Sequence, residues 1–340
     1  MGEEIVVLDE QKMLDKILDL PNQLERAWTS YWIKEIPVTP DAFDRVLICG
    51  MGGSGIAGQL AKELFAEAVK PINVWADYRL PGWANERTLV IAVSYSGDTE
   101  ETIDAVKLAI ERKCPLLLIT KGGKLEQLAK INSLPIWQVE YDSLPRAAIG
   151  WLYGLLLTAL ARLQVINLAE TSFFQALAEL KSTISGKTFP DKAQDLAMTL
   201  SNKVPIVLAH SPLQSVAKRW VTQFNENSKT FAFTAPMPEL CHNTIVGLDF
   251  AVPEKLTVLY LETKFGFSRN VARQKVVAEI FADKEINFTP LSVRSSSALA
   301  EQLLLIHFGD LLSFYLAGVN GIDPTPIESI VKLKEKLSKV

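Results

Sequence analysis

The chain has 340 residues, enough for two packed domains, since single cores seldom grow past roughly 250–300 residues. Hydrophobic residues make up 48% and charged residues 22%, and the net charge of −4 argues against a broad nucleic-acid-binding face. The three cysteines, Cys49, Cys114 and Cys241, are far apart with no metal-ligand spacing, which fits a reducing compartment. No basic region followed by an apolar stretch opens the chain, and the most apolar segment, Ala147 to Ala161, is shorter than the ~20 residues of a membrane span. A cytoplasmic protein with neither a membrane nor a nucleic-acid partner is expected.

Taken in chain order, residues 10–35 carry helical periodicity through Met13, Ile17, Leu18, Leu24 and Trp28, which predicts one lead-in helix. After Pro40, short apolar runs at 45–49, 72–76, 88–93, 115–119 and 135–139 read as strands. Helical stretches near 55–68, 99–112 and 124–131 alternate with them. Apolar residues through 147–163 and a helix near 171–183 follow, then a loop from Ser185 to Asp191. The second half repeats the theme, with strands at 205–209, 256–261 and 286–291 and helices near 213–225, 268–283, 297–317 and 326–338. The expected fold is α/β: two tandem α/β/α subdomains with mainly parallel sheets. The boundaries are a lead-in over 1–40, a first domain over 41–150, a helical connection over 151–195 and a second domain over 196–340.

Two loops stand out. Val46-Leu47-Ile48-Cys49 runs into Gly50-Met51-Gly52-Gly53-Ser54-Gly55, and Leu89-Val90-Ile91-Ala92-Val93 runs into Ser94-Tyr95-Ser96-Gly97-Asp98-Thr99. Each reads as a buried strand turning into a helix start, where unpaired backbone N–H groups meet anions. The first loop also fits the Gly-x-Gly-x-x-Gly dinucleotide fingerprint, with Asp77 near the end of the next strand, so an NAD(P)-dependent oxidoreductase stands as an alternative. Ser94, Ser96 and Thr99 tilt the balance towards a phosphate monoester, which accepts several short hydrogen bonds. These hydroxyls could instead simply cap the helix.

Together with Asn225-Glu226-Asn227, Glu239-Leu240-Cys241-His242-Asn243 and Gly321-Ile322-Asp323-Pro324-Thr325-Pro326, these loops resemble the sugar isomerase (SIS) domain and, more narrowly, the bifunctional phosphoglucose/phosphomannose isomerase family. The resemblance runs from about Val46 to the C-terminus. It implies two SIS-like domains, a homodimer with the active site near the subunit interface, a sugar 6-phosphate substrate, and neither cofactor nor metal. Gly53, Ser54, Ser94, Ser96 and Thr99 would hold the phosphate, with Arg146 as the arginine after the first domain. Glu226, His242 and Lys334 would be the catalytic glutamate, histidine and lysine. The SIS loops occur also in non-catalytic sugar-phosphate sensors, the other alternative.

The implied chemistry makes sense of these residues. Moving a proton between C2 and C1 through a cis-enediolate needs one base on one face of the sugar, and a carboxylate tuned by burial serves. Glu226 closes a helix whose apolar face is Leu213, Val216, Ala217, Trp220, Val221 and Phe224, although a solvated glutamate would look the same. His242 could shuttle the ring-opening proton. His307, among Leu303 to Ile306, reads as a packed helix residue, and His210, after a strand, could line the cleft. Arg146 would stabilise charge on the enediolate, or form a linker salt bridge. In the last helix Ile327, Ile330, Val331, Leu333 and Leu337 define an apolar face that includes Lys334, with Lys332 on the solvent side and Thr325 as N-cap.

Overall fold

Aliphatic runs bounded by glycine-rich or polar turns become the strands of two parallel sheets in a computed structural model that describes residues 5–337 and 339. The chain divides into two units, each discontinuous in sequence. One comprises Leu18–Ser182 with Arg294–Leu303, and the other holds the chain before Leu18, Thr183–Val293 and the chain from Leu304. The lead-in is two helices rather than one, α1 (Met13–Leu18) and α2 (Leu20–Trp32), because Pro21 sits in the first turn of α2, where a missing N–H is harmless.

In the first unit β1 (Arg45–Cys49), β2 (Ile72–Trp75), β3 (Thr88–Ser94), β4 (Leu116–Thr120) and β5 (Ile136–Gln138) lie in the order β2-β1-β3-β4-β5, all parallel. All seven residues of the central strand β3 are buried, as expected of a strand covered on both faces. Strand order reverses between β1 and β3, and ligands of open α/β sheets bind in the crevice outside such a switch point. The loops after β1 and β3 lead into α3 (Gly52–Leu64) and α4 (Glu100–Glu111), and α5 (Gly123–Asn132) follows β4.

Helix α6 (Ile149–Arg162) is buried without interruption from Ile149 to Leu160, the mark of a helix covered all round. It approaches α2 closely at Gly154, where a Cβ would lie 2.8 Å from the Cβ of Ala27. The buried Gln23 of α2 donates to the Ala147 carbonyl at 3.0 Å and accepts from the Gly150 amide at 3.2 Å. A single side chain thus fixes the short 3-10 turn Pro145–Ala147 that carries Arg146. Helix α7 (Glu170–Ile184) follows.

The second unit repeats the topology. Its strands β6 (Val204–Ala209), β7 (Phe233–Pro236), β8 (Leu256–Leu261) and β9 (Asn287–Leu291) are parallel in the order β7-β6-β8-β9, again reversing beside the first strand. Its helices include α8 (Thr188–Thr199), α9 (Gln214–Glu226), α10 (Ser268–Asp283) and α12 (Glu328–Leu337), while α11 (Ala298–Val319) begins in the first unit and ends in this one. Where a loop is expected from Ser185 to Asp191, α8 already begins at Thr188, with Pro190 tolerated in its first turn. Strand β7 has no counterpart in the sequence reading. By length and composition α11, longer than the apolar Ala147–Ala161 stretch, could cross a membrane. However, 83% of its apolar window is buried, as in a core helix.

A buried polar network sets the end of α9. Arg219 Nη2 meets Asp310 Oδ2 at 2.6 Å, Gln223 donates to Asp310 Oδ1 at 3.0 Å, and Asn227 donates to Ser313 Oγ at 2.9 Å. Burial pushes the Asp310 carboxyl up, and Arg219 and Gln223 pull it back. Trp220 donates to the Leu305 carbonyl and packs closely on Gly309, where a Cβ would come within 2.2 Å of the indole.

Candidate active site

The structure gathers one group of predicted residues at the first switch point. Tyr95 N donates to Ser54 Oγ at 3.1 Å, tying the loop after β1 to the loop after β3. Ser94 Oγ and Thr99 Oγ1 lie 2.9 Å apart, and Gly97 N donates to Ser94 Oγ at 3.1 Å. Gly97 turns at φ +73°, and a Cβ there would lie 1.8 Å from the Gly122 carbonyl, so only glycine closes this loop. Thr99 occupies the N-cap of α4, yet its side chain makes no capping bond. Capping therefore does not account for the Thr99 hydroxyl, whereas Ser96 Oγ accepts from Asp98 N at 3.2 Å. Ser54 and Ser94 are buried ties within the loops, Thr99 is half-buried, and Ser96 is exposed.

Arg146 joins this group. A Cβ on Gly53 would lie 3.2 Å from the Arg146 backbone nitrogen, so the turn bearing Arg146 rests directly on the first loop. Arg146 is buried rather than part of an open linker. Tyr95 completes the frame: its hydroxyl donates to the Tyr141 carbonyl and accepts from Ser143 N, both at 2.7 Å, fixing the segment that leads to Pro145. Sequence reasoning missed Tyr95, and its place between two serines was the only available signal.

The remaining predicted residues lie in the second unit. Glu226 is the half-buried last residue of α9 and lines a cavity of about 470 Å³ with Asn225, Lys229, Asp323, Ile327 and Ile330. His242 ends a 3-10 turn (Glu239–His242), is exposed, and is absent from that lining. Exposed Val246 and Phe250 follow it, Phe250 at 96%. His210 is fully buried against β8, with its Nδ1 2.9 Å from the Ser211 carbonyl. His307 is packed as expected, and burial pushes its imidazole down to about 4.

Two expectations for the last helix fail. No residue of α12 is buried, and Lys332, Lys334, Leu333 and Leu337 are all exposed, so burial does not separate the two lysines. The amphipathic period is real, but the described residues leave Val331, Leu333 and Leu337 of that face exposed. Thr325 is also not the N-cap, because α12 starts three residues later at Glu328. The Thr325 amide instead donates to Asp323 Oδ1 at 2.6 Å.

The fold and the first switch point define the class: a doubly wound α/β protein whose glycine- and hydroxyl-bearing turns after β1 and β3 are tied together. Residues 42–134 match the SIS domain family, and residues 189–337 match the family described as bacterial phospho-glucose isomerase C-terminal SIS domain. A bifunctional phosphoglucose/phosphomannose isomerase from Caldicellulosiruptor bescii is 32% identical over 96% of this chain and 99% of its own. One from Thermoplasma volcanium is 32% identical over 87% of this chain and 92% of its own. A hypothetical protein of known structure from Thermus thermophilus shares the fold, with a TM-score of 0.72 and 16% identity over 97% of this chain and 90% of its own. The chain belongs to the bifunctional phosphoglucose/phosphomannose isomerase family, and it is an isomerase.

Proposed function

We propose that the chain interconverts glucose 6-phosphate and mannose 6-phosphate with fructose 6-phosphate through a cis-enediolate. The observation that carries this reading is the linked pair of loops, whose Thr99 hydroxyl stands at a helix start without capping it. A hydroxyl that accepts a backbone bond keeps its own proton to donate, so Ser54 can serve the phosphate while holding Tyr95. Ser94, Ser96, Thr99 and the Gly53 amide complete the anchor. Arg146, buried beside Gly53, supplies a fixed cation for the charge that develops on the enediolate oxygens. Glu226 takes the proton from C2 and returns it at C1. Glucose and mannose phosphates differ at C2, so accepting both requires rotation about C2–C3 of the open form.

His242 and Lys334 assist ring opening in this reading, with His242 delivered by the second subunit of a homodimer. Its exposure, its absence from the Glu226 cavity, and the exposed Val246 and Phe250 that follow it support a covered surface there. Lys334 is four residues beyond Ile330, a cavity-lining residue, and so shares its helix face. A coupled assay with glucose 6-phosphate and mannose 6-phosphate given separately tests the activity, and no turnover of either would overturn it. Mixing inactive Glu226→Gln and His242→Ala proteins tests the dimer. Mixed dimers with a shared site regain turnover, and none would be regained if His242 served its own subunit.

A further inference from the structure

Helix α9 ends at Glu226, so the carbonyls of its last turn have no helical partners. Three residues on, Lys229 sits at φ +51°, a left-handed conformation that disfavours a side chain, and folds back over that end. Its Nζ donates to the Glu226 carbonyl at 3.0 Å and the Asn227 carbonyl at 3.2 Å. The same ammonium also lies 3.0 Å from the Asp323 carbonyl and 3.2 Å from that of Pro324. An exposed lysine ordinarily extends into water and loses rotamer entropy when held. Here three protons are shared among four carbonyls from two segments.

Those two segments lie on one cavity, because Glu226 and Asp323 both line it together with Lys229. Other bonds brace the same junction. Asn320 donates to the Ser228 carbonyl at 2.8 Å, and Thr230 N donates to the Phe224 carbonyl at 3.0 Å. The Asp323 carboxylate receives the amides of Thr325 and Glu10. Lys229 is the only one of these groups bound to the main chain of Glu226 itself among the bonds described. We propose that Lys229 is a positioning residue for the catalytic base: its ammonium locks the Glu226 backbone to the Asp323–Pro324 segment and so fixes where the carboxylate meets the sugar. This rests on Glu226 being the base. An offset near 1 Å at a reacting group costs up to about 100-fold in rate, so the lock acts on turnover rather than on binding.

The test is steady-state kinetics of Lys229→Met and Lys229→Arg, with the isotope effect of glucose 6-phosphate deuterated at C2. Lys229→Met is expected to lower kcat about 10- to 100-fold, leave KM within about twofold, and raise the isotope effect as proton transfer becomes slower. Lys229→Arg keeps a cation with several donors and should recover most of the loss. If Lys229→Met does not fold, Lys229→Gln, which keeps two donors without charge, is read in its place. A folded variant with wild-type kcat and isotope effect, or one that only melts at a lower temperature, overturns the inference. Glu226→Gln is measured alongside: if it stays active, the base assignment fails, whereas inactive Glu226→Gln beside wild-type-like Lys229 variants sinks the positioning role alone.

Discussion

The two sheets share one topology and differ at its most useful point. At the first switch point the chain places Gly53, Ser54, Ser94, Ser96 and Thr99, small or hydroxyl-bearing residues whose side chains bond across and within the two turns. At the equivalent point of the second sheet, after β6 and β8, it places His210 and the segment Thr263–Phe267. There the His210 ring fills the turn: a Cβ on Gly266 would lie 2.1 Å from its Cε1. Phe267, 73% exposed, takes the N-cap of α10 where an anion-binding loop would offer a small polar residue. One doubled architecture thus yields a turn of small and hydroxyl residues in one sheet and a filled, apolar-rimmed turn in the other. Side chains at the strand ends, not the fold, set this difference.

On the proposed reading, the first unit would hold the phosphate and the second unit would carry the base. The sharpest attempt to break it is Glu226→Gln, expected to lower kcat about 1,000-fold, or ~4 kcal/mol, with KM little changed. A change confined to KM would return Glu226 to a binding role. Acid should single out the second unit, which holds all three histidines. His307 is pushed down to about 4 in the folded protein, so between pH 6.5 and 4 the unfolded chain binds the extra proton. Stability therefore falls as pH drops through that window, by at most about 3 kcal/mol, and chemical melts of His307→Gln should show a flatter slope there.

At the anchor, Thr99→Val should raise KM about 30-fold, the ~2 kcal/mol of a hydrogen bond to a charged group, and leave kcat nearly intact. Equilibrium dialysis against inorganic phosphate should then find one site per chain, lost in that variant. A second site surviving the substitution would break the contrast between the sheets. The smallest effect is expected for Tyr95→Phe, which removes the hydroxyl bridging Tyr141 and Ser143: about 1 kcal/mol, read as a few-fold rise in KM.

Most strands were legible because they are continuous apolar runs punctuated by glycine, proline and polar turns. Strand β7 was not, since Phe233-Thr234-Ala235-Pro236 is a short edge strand with exposed ends and little apolar content. Helix α8 hid behind Ser185-Gly186 and Pro190, which punctuate a loop and a first helical turn equally well. The two glycine- and hydroxyl-bearing turns were readable from the sequence pattern, but the bonding within them was not. That Ser54 and Ser94 are ties while Ser96 faces outward depends on bonds across 41 residues, as from Tyr95 to Ser54. Lys334 shows the opposite limit: helical period reveals an apolar face but not what lies against it.

The chain passes from one unit to the other at four places, near residues 17, 182, 293 and 303. No single peptide bond, when cut, frees either unit whole. Residues 18–182 expressed alone would lack Gln302, which accepts from the buried Tyr153 hydroxyl at 2.5 Å. Anyone wishing to study the phosphate anchor by itself must graft a ten-residue piece from more than a hundred positions downstream, because the half-molecule is interlaced in sequence rather than appended.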